Sequence, residues 1–329
     1  MALLHLAAAT RLPSPLALTV DHGLRAASTG EARFVADACA RAGIEHRTVR
    51  LERPPASGRP AWARGARHDA MRRAAGPGGI VLVGHTADDV AETVLMRAAR
   101  GPGPGLAGIA PATLVDRTWF YRPLLRESRA ALRDWLAARG HCWLDDPTNA
   151  DPAHERACVR ACMTARERDD ALIGASRCAR ARAMLSRRTA DDLAGRLRLE
   201  GDGAGTTAAV EEWRSIRSRW FALHALLPRV AGRAHEPPVR ALVRAVRMLN
   251  TGRAFTVGGC RLLVDEAVLR VARDPRARVD TGPRLVPSFD WDLHRAIDPG
   301  APAPPVPLPR VADRFARRDL HAARERAGR

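Results

Sequence analysis

Residues 81–108 read VLVGHTADDVAETVLMRAARGPGPGLAG. The apolar opening, rich in β-branched valine, predicts a short buried strand that ends at Gly84-His85. Thr86 is a good helix N-cap, Asp88 and Asp89 fall in the first turn of the helix it opens, and Glu92 follows one turn on. A strand that runs straight into a helix is half of a βαβ unit, and in an open parallel sheet ligands gather outside the carboxyl ends of the strands. That places His85, Asp89 and Glu92 at a ligand crevice. A plainer reading stands beside it: first-turn acids offset the helix dipole, and His85 is an ordinary loop histidine. The glycine-rich run after the helix, RGPGPGLAG, favours the crevice, because such a loop lets backbone approach a ligand closely.

The same alternation extends on both sides. Apolar runs predict strands at about 16–21, 46–51, 79–84 and 117–121, with helices near 28–42, 60–75, 87–100 and 128–139 between and after them. Ser28-Thr29-Gly30-Glu31 has capping-box spacing, and Gly43 sits where that helix should stop. Ser128 caps a helix whose Leu132, Trp135 and Leu136 share one face, and Gly140 ends it. Strand–helix alternation predicts an α/β fold with a doubly wound parallel sheet. The chain opens differently: Leu3, Leu4, Leu6 and Ala7 form a helical stripe with no strand before it, although a crossover helix normally follows one. From about residue 154 the chain turns into Arg-rich helix to about 230. A mixed region with strand-like 254–257 and 267–271 follows, then a Pro-rich linker, DPGAPAPPVPLPR, at 298–310.

The 329 residues are enough for two domains. All 54 basic residues are arginine against 36 acids, a net charge of +18. Such an excess points to a polyanionic partner, although an Ala- and Arg-rich, lysine-free composition also reflects codon bias. Aromatics are only 4%, which disfavours a membrane-surface role, and no apolar run reaches spanning length. The first ten residues are apolar like a signal peptide but lack its basic flank, so a cytoplasmic protein is expected. The six cysteines are scattered without a C-x-x-C pair, which signals neither a zinc site nor a redox motif and predicts reduced, mostly buried thiols.

Three other stretches carry candidate chemistry. VDHGLR (20–25) puts Asp21 and His22 at a strand's carboxyl end, within reach of a nucleotide or simply in a turn. RPAWARGARHDAMR (59–72) sets Arg64 and Arg67 about one turn apart, to grip phosphate or to form a solvated face. WLDDPTNADPAHERACVR (143–160) is acid-rich and then places Arg156 and Arg160 at i, i+4, a pattern that can order a loop over a site or merely open a helix.

Taken in order, VDHGLR, GHTADDVAETVLMRAARG, RPLL…SRAAL and WLDDPTNAD…R…R resemble the tRNA(Ile)-lysidine synthases, members of the PP-loop ATP pyrophosphatase group. The resemblance runs from residue 1 to about 160 and thins afterwards, although FTVGGCRLL (255–263) is similar to the family's later domain. It implies a PP-loop, adenine-nucleotide-hydrolase-like sheet in residues 1–160 and a mostly helical, Arg-rich tRNA-binding region in 161–329. It implies a ligase that uses ATP and Mg²⁺. The C2 oxygen of the wobble cytidine in an isoleucine tRNA with a CAU anticodon is adenylated, L-lysine attacks C2, and AMP leaves. Carried over by motif position, His85, Asp89 and Arg156 are catalytic. Glu92 and Arg160 bind substrate, with Glu92 helping to hold lysine. Asp21, His22, Arg64 and Arg67 line the ATP site. No metal ligands are implied by name. Two positions depart from the pattern: the family's Arg-Asn pair is Arg156-Ala157 here, and its usual Tyr after Arg67 is His68. The family's Ser-Gly-Gly-x-Asp-Ser loop and the strand before it are absent, and the opening helix resembles the one that follows that loop. The expectation is a longer functional protein, with the chain alone binding ATP poorly. The alternative is a truncated, catalytically impaired tRNA-binding paralogue.

Overall fold

The computed structural model describes residues 1–10, 14–21, 28–51, 59–76, 78–145, 155–201, 207–233, 236–277 and 285–304. They fall into two compact units. The first comprises residues 1–100, 118–173 and the chain from 303 onwards, and the second comprises 101–117 and 174–302.

In the first unit the predicted elements form close to their expected bounds. They are α1 (Ala2–Ala9), β1 (Leu16–Asp21), α2 (Ser28–Ala42), β2 (Glu45–Arg50), α3 (Arg59–Ala75), β3 (Ile80–Leu82) and α4 (Ala87–Ala98). After an excursion into the second unit come β5 (Thr118–Tyr121), α5 (Arg129–Ala137) and α6 (Glu155–Cys162). Gly43 stops α2 with a φ of +66°, a left-handed conformation that costs glycine nothing. Ser128 caps α5 by accepting the Ala131 N–H at 3.1 Å. Leu132, Trp135 and Leu136 of α5 pack with Ala2 and Leu6 of α1 and with Leu124 in one buried cluster. The described strand pairings within this unit are parallel and belong to two separate sheets: β1 pairs with β2, Leu16 opposite Glu45, and β3 pairs with β5, Ile80 opposite Trp119. Among the described residues no strand pairs with the second edge of β1 or of β3. Helix α3 packs against both of those strands. Beside β1 lies a groove of about 410 Å³ lined by Met1, Leu4, Ala17–Val20, Val35, Arg67 and Met71.

The second unit holds β4 (Ala112–Val115), the greater part of the long α7 (Ala165–Leu193), β6 (Leu197–Glu200), β7 (Thr207–Val210), α8 (Arg219–Ala231) and α9 (Val239–Leu249). Then follow β8 (Phe255–Val257), β9 (Cys260–Asp265), β10 (Val268–Arg273), β11 (Leu285–Pro287) and α10 (Trp291–Ile297). Besides the expected helix, this unit contains a five-stranded antiparallel sheet in the order β6-β7-β10-β9-β8, of which the sequence reading had only two strand-like runs. Its inner face, with Val210, Leu262, Leu269 and Val271, packs with Phe221, Leu226 and Leu227 of α8 and Leu242 of α9 in the largest apolar cluster. The β8–β9 turn is Gly258-Gly259, both at positive φ (+59° and +81°), the pairing that a two-residue hairpin demands. Its closeness is local too: a Cβ on Gly258 would stand 2.6 Å from Pro237 Cγ. Arg182 on α7 forms a buried two-pronged ion pair with Asp290, just ahead of α10.

One expectation changes. The cysteines are not mostly buried: Cys39 and Cys260 are, but Cys142, Cys158 and Cys162 are exposed, the last two because i, i+4 spacing sets both on the outer side of α6. The 298–310 linker is described only to residue 304, where the Ala303 carbonyl accepts the Trp119 indole N–H at 3.1 Å. No described helix is long and apolar enough to cross a membrane.

Candidate active site

The site is built where three helix ends converge on the end of β3. Past Leu82 the chain stays tied to β5 through the Val83 N–H, which donates to the Tyr121 carbonyl at 2.7 Å. Gly84 and His85 then lead into α4. Asp89 Oδ2 reaches back to accept the Thr86 N–H at 2.8 Å and its hydroxyl at 2.9 Å, which pins the first turn. The start of α5 is stitched to the same turn: Ala87 N–H donates to the Glu127 carbonyl, and Arg129 N–H donates to Asp88 Oδ2 at 2.6 Å.

Glu92 is fully buried and carries the densest set of contacts. Its Oε1 accepts from Arg160 Nε at 2.8 Å and from Arg129 Nη2 at 3.2 Å. Its Oε2 accepts from Arg160 Nη2 at 3.3 Å and lies 3.3 Å from Arg156 Nε. Arg156 also donates to the Thr93 hydroxyl at 2.8 Å. The i, i+4 spacing read from sequence thus places Arg156 and Arg160 on one face of α6, against one carboxylate of α4. A buried carboxylate is tolerable only when paired, and three guanidiniums over-satisfy this one.

His85 is pushed down to about 4 by burial and by the nearby Arg122 guanidinium, against the pull of Asp89. It is therefore neutral near pH 7, and its Nδ1 is buried with no hydrogen-bond partner among the described residues. A neutral imidazole of that kind is suited to a hydrogen bond with a ligand and is a weak base. Burial pushes Asp89 up, but the two Thr86 hydrogen bonds and Arg129 outweigh it and hold its carboxyl below the usual range. Burial also lowers Arg122 to about 10.

The structure thus brings His85, Asp89, Glu92, Arg156 and Arg160 together. Asp21 is buried at the end of β1, in register with Arg50. Arg67, exposed on α3, borders the groove beside Val20, and its charge is felt at His85. Arg64 lies on α3 with its side chain outside the described residues, and His22 is outside them altogether. Of the departures from the family pattern, His68 packs against Phe120 with ring centres 5.2 Å apart, and Ala157 is buried. Sequence reasoning missed Arg129, which touches Asp88, Asp89 and Glu92 at once. The available signal was its place: arginine is disfavoured at the positive start of a helix, so one directly after a Ser cap needs a partner. Among the described residues no cluster of three or more His, Cys, Asp or Glu is placed to hold a metal ion.

Residues 1–167 match the model of the PP-loop domain, and the chain belongs to that family. Three relatives carry one name. It is 53% identical over 158 residues to the tRNA(Ile)-lysidine synthase of Mesorhizobium japonicum, covering 45% of this chain and 35% of that protein. It is 48% identical over 172 residues to that of a Bradyrhizobium strain, covering 50% and 48%. Against the tRNA(Ile)-lysidine synthase of Rhizobium meliloti the match is 36% over 264 residues, 76% of this chain and 58% of the relative. The chain spans between about a third and three-fifths of the length of these relatives. The solved U34-tRNA thiolase NcsA of Methanococcus maripaludis superimposes with a TM-score of 0.43 at 15% identity, over 54% of this chain and 68% of that one.

Proposed function

We propose that this chain is a tRNA(Ile)-lysidine synthase, a cytoplasmic ligase, with residues 1–160 as its PP-loop catalytic domain and 161–329 as its tRNA-binding region. The observation that carries the reading is the single cluster formed by His85, Asp89, Glu92, Arg156 and Arg160 at the carboxyl end of β3. In the reaction the C2 oxygen of the wobble cytidine of an isoleucine tRNA attacks the α-phosphorus of ATP and pyrophosphate leaves. The amine of L-lysine then attacks C2, the C2–O bond breaks, AMP leaves, and the amine gives up its proton.

The residues divide the work by charge. Arg156 is half-buried, anchored through Thr93 and Glu92, and offers the guanidinium best placed for a phosphate or for the developing charge on the base. Arg67 supplies a second cation at the groove for the nucleotide, with Arg64, Asp21 and His22 completing the ATP site. His85, neutral, donates or accepts one hydrogen bond from ligand. Asp89 orients the lysine amine, whose positive charge suits a first-turn carboxylate. Glu92, with both oxygens occupied, fixes the arginines that surround substrate and contributes to lysine binding through them. Mg²⁺, when bound, would neutralise the charge of the nucleotide phosphates, for which only one or two protein carboxylates are commonly needed. Asp88 is the acid suited to hold it, since among the described residues only its Oδ2 is engaged.

The test is Asp89→Asn in the protein as its gene encodes it, with lysine incorporation into tRNA, AMP release and thermal melting measured together. The expected result is loss of incorporation with a folded protein. Near-normal incorporation would sink the assignment, and so would an unaltered protein that releases no AMP in the presence of tRNA and lysine.

A further inference from the structure

Arg122 takes no part in the scheme above, yet among the charges around His85 its own is felt most strongly. Its place follows from the sequence. Pro123 comes next, and the residue before a proline is held in extended backbone, so Arg122 carries the pleat of β5 one residue past Tyr121. Side chains of a pleated strand alternate between faces, which sets Arg122 on the face of Phe120. There Phe120 meets His68 of α3, with ring centres 5.2 Å apart, and Arg67 is the residue just before His68. On the β3 side the last ladder bond runs from the Val83 N–H to the Tyr121 carbonyl at 2.7 Å. Arg122 lies one residue and His85 two residues beyond it. Both therefore stand at the carboxyl edge of the β3–β5 pair, where the ligands of a parallel sheet collect.

The charge gathered there selects the ligand. Three guanidiniums, of Arg122, Arg156 and Arg67, and one carboxylate, of Asp89, act on His85. That carboxylate is already engaged by Thr86 and Arg129, and nearby Glu92 is held by Arg129, Arg156 and Arg160. Burial lowers Arg122 to about 10, which still leaves it charged near pH 7, in surroundings where charges attract more strongly than at an open surface. His85 adds a neutral ring with a buried, open Nδ1. Surplus cation beside a neutral hydrogen-bonding ring suits a phosphate, since a guanidinium binds phosphate oxygens through charge-assisted hydrogen bonds. Asp89 orients the lysine amine in the function proposed above, so a phosphate bound beside it is the one carried by the C2 oxygen that lysine displaces. Pyrophosphate has already left at that stage.

We propose that Arg122 and His85 together bind the phosphate of the adenylated cytidine and of the AMP released from it, which leaves Arg156 to face the charge that develops on the base. The inference deepens the function proposed above and rests on it for the identity of the phosphate. As the lysine nitrogen bonds to C2, the C2–O bond breaks and its electron pair stays on the oxygen attached to phosphorus. The surplus proton of the amine passes to water. Arg122 offsets the charge that this oxygen gains, and His85, with its proton on Nδ1, donates a hydrogen bond to the same phosphate.

The experiment measures the binding of AMP, adenosine and inorganic pyrophosphate to the protein as its gene encodes it, with the imidazole nitrogen NMR signals of His85 followed alongside. The unaltered protein is compared with Arg122→Gln and with Arg122→Lys, which keeps the buried charge should the first variant fail to fold by thermal melting. AMP is expected to move the His85 Nδ1 signal and adenosine to leave it in place. Arg122→Gln is expected to weaken AMP roughly 10–100-fold, the range for a hydrogen bond to a charged group, with adenosine affinity unchanged. Arg122→Lys is expected to lose less, though still severalfold, because it keeps the charge and not the fork. Unchanged AMP affinity in either variant would overturn the proposal. Parallel losses for AMP and adenosine would reduce Arg122 to a structural role, and a His85 signal moved by pyrophosphate but not by AMP would assign the cations to the other product. Absence of AMP binding by the unaltered protein would overturn it too. AMP binding that depends on Arg122 in a protein that forms no lysidine overturns the ligase reading alone, and lysidine formation with AMP binding independent of Arg122 overturns this inference alone.

Discussion

Glu92 is the residue on which the candidate site turns. With zero exposure and three guanidiniums around it, it is a buried charge whose partners cannot be removed singly without cost. Glu92→Ala is expected to lower stability by about 3–5 kcal/mol, read as a drop in the urea midpoint, because it leaves cationic partners uncompensated. Glu155→Ala, which breaks only the exposed pair with Arg100, is expected to change stability by no more than about 1 kcal/mol. Arg129 acts at one remove, as a positioning residue that holds Asp88, Asp89 and Glu92 in one frame. Arg129→Ala is expected to cut the turnover of lysidine formation about 10²-fold with a small change in KM for ATP, because a displaced catalytic group costs rate more than binding. Arg129→Lys keeps the charge but not the fork that bridges two carboxylates, so partial rescue is expected. An Arg129→Ala enzyme with normal turnover would remove that role.

At the scale of elements, the docking of α1 on α5 carries a pH dependence. The His5 and His141 rings stack with centres 3.6 Å apart and planes 9° from parallel, beside Trp135. Burial, then the proximity of His141, lowers His5 from 6.5 to about 4. Between those two values the unfolded chain takes up a proton that the folded chain refuses. Stability from this contact is therefore complete above about pH 6.5 and is lost as the pH falls towards 4. His5→Phe keeps the stacked ring without the proton, so the fall in Tm between pH 6.5 and 4 should be smaller than in the unaltered protein. Identical pH profiles for the two would show that the stack does not titrate. Most elements themselves were legible from sequence: Gly43, Ser128 and Gly140 mark helix ends through local backbone chemistry, and the structure keeps all three. Of the strands that escaped notice, β4, β6, β7 and β11 are three or four residues long, too short for alternation to distinguish them from loop, whereas the six-residue β9 does alternate in burial and was missed. β4 finds its antiparallel partner β11 more than 150 residues away, a pairing that no local pattern announces.

Over the whole molecule, protection is unevenly distributed. The five-stranded sheet of the second unit is backed by two helices and the largest apolar cluster. Among the described residues the β1–β2 ribbon of the first unit is two strands wide, and β2 is largely exposed. Two-stranded ribbons are marginal by themselves, and local opening follows the density of buried contacts. Hydrogen exchange should accordingly be slowest at the amides of β7, β9 and β10 and several orders of magnitude faster in β2. Equal protection in β2 and β9 would contradict this picture. Net charge is likewise a property of the whole: +18 is visible in composition, but it does not say which arginines are spent on neighbours and which remain for a partner.

The sequence by itself determined the parallel strand–helix alternation, the helix ends, and the motif positions of His85, Asp89, Glu92, Arg156 and Arg160, because each rests on spacing within one element or on a cap a few residues away. Only the tertiary structure decided what those residues touch. Glu92 read from sequence is a free carboxylate one turn into a helix; in the fold, α5 and α6 bring three arginines from 37 to 68 residues away and occupy both its oxygens. His85 read from sequence is a crevice histidine whose charge is unspecified; burial beside Arg122 makes it neutral with an open nitrogen. The physical reason is common to both. Charge and hydrogen-bonding capacity belong to a residue, but dielectric surroundings and partners are set by segments that meet only when the chain closes on itself.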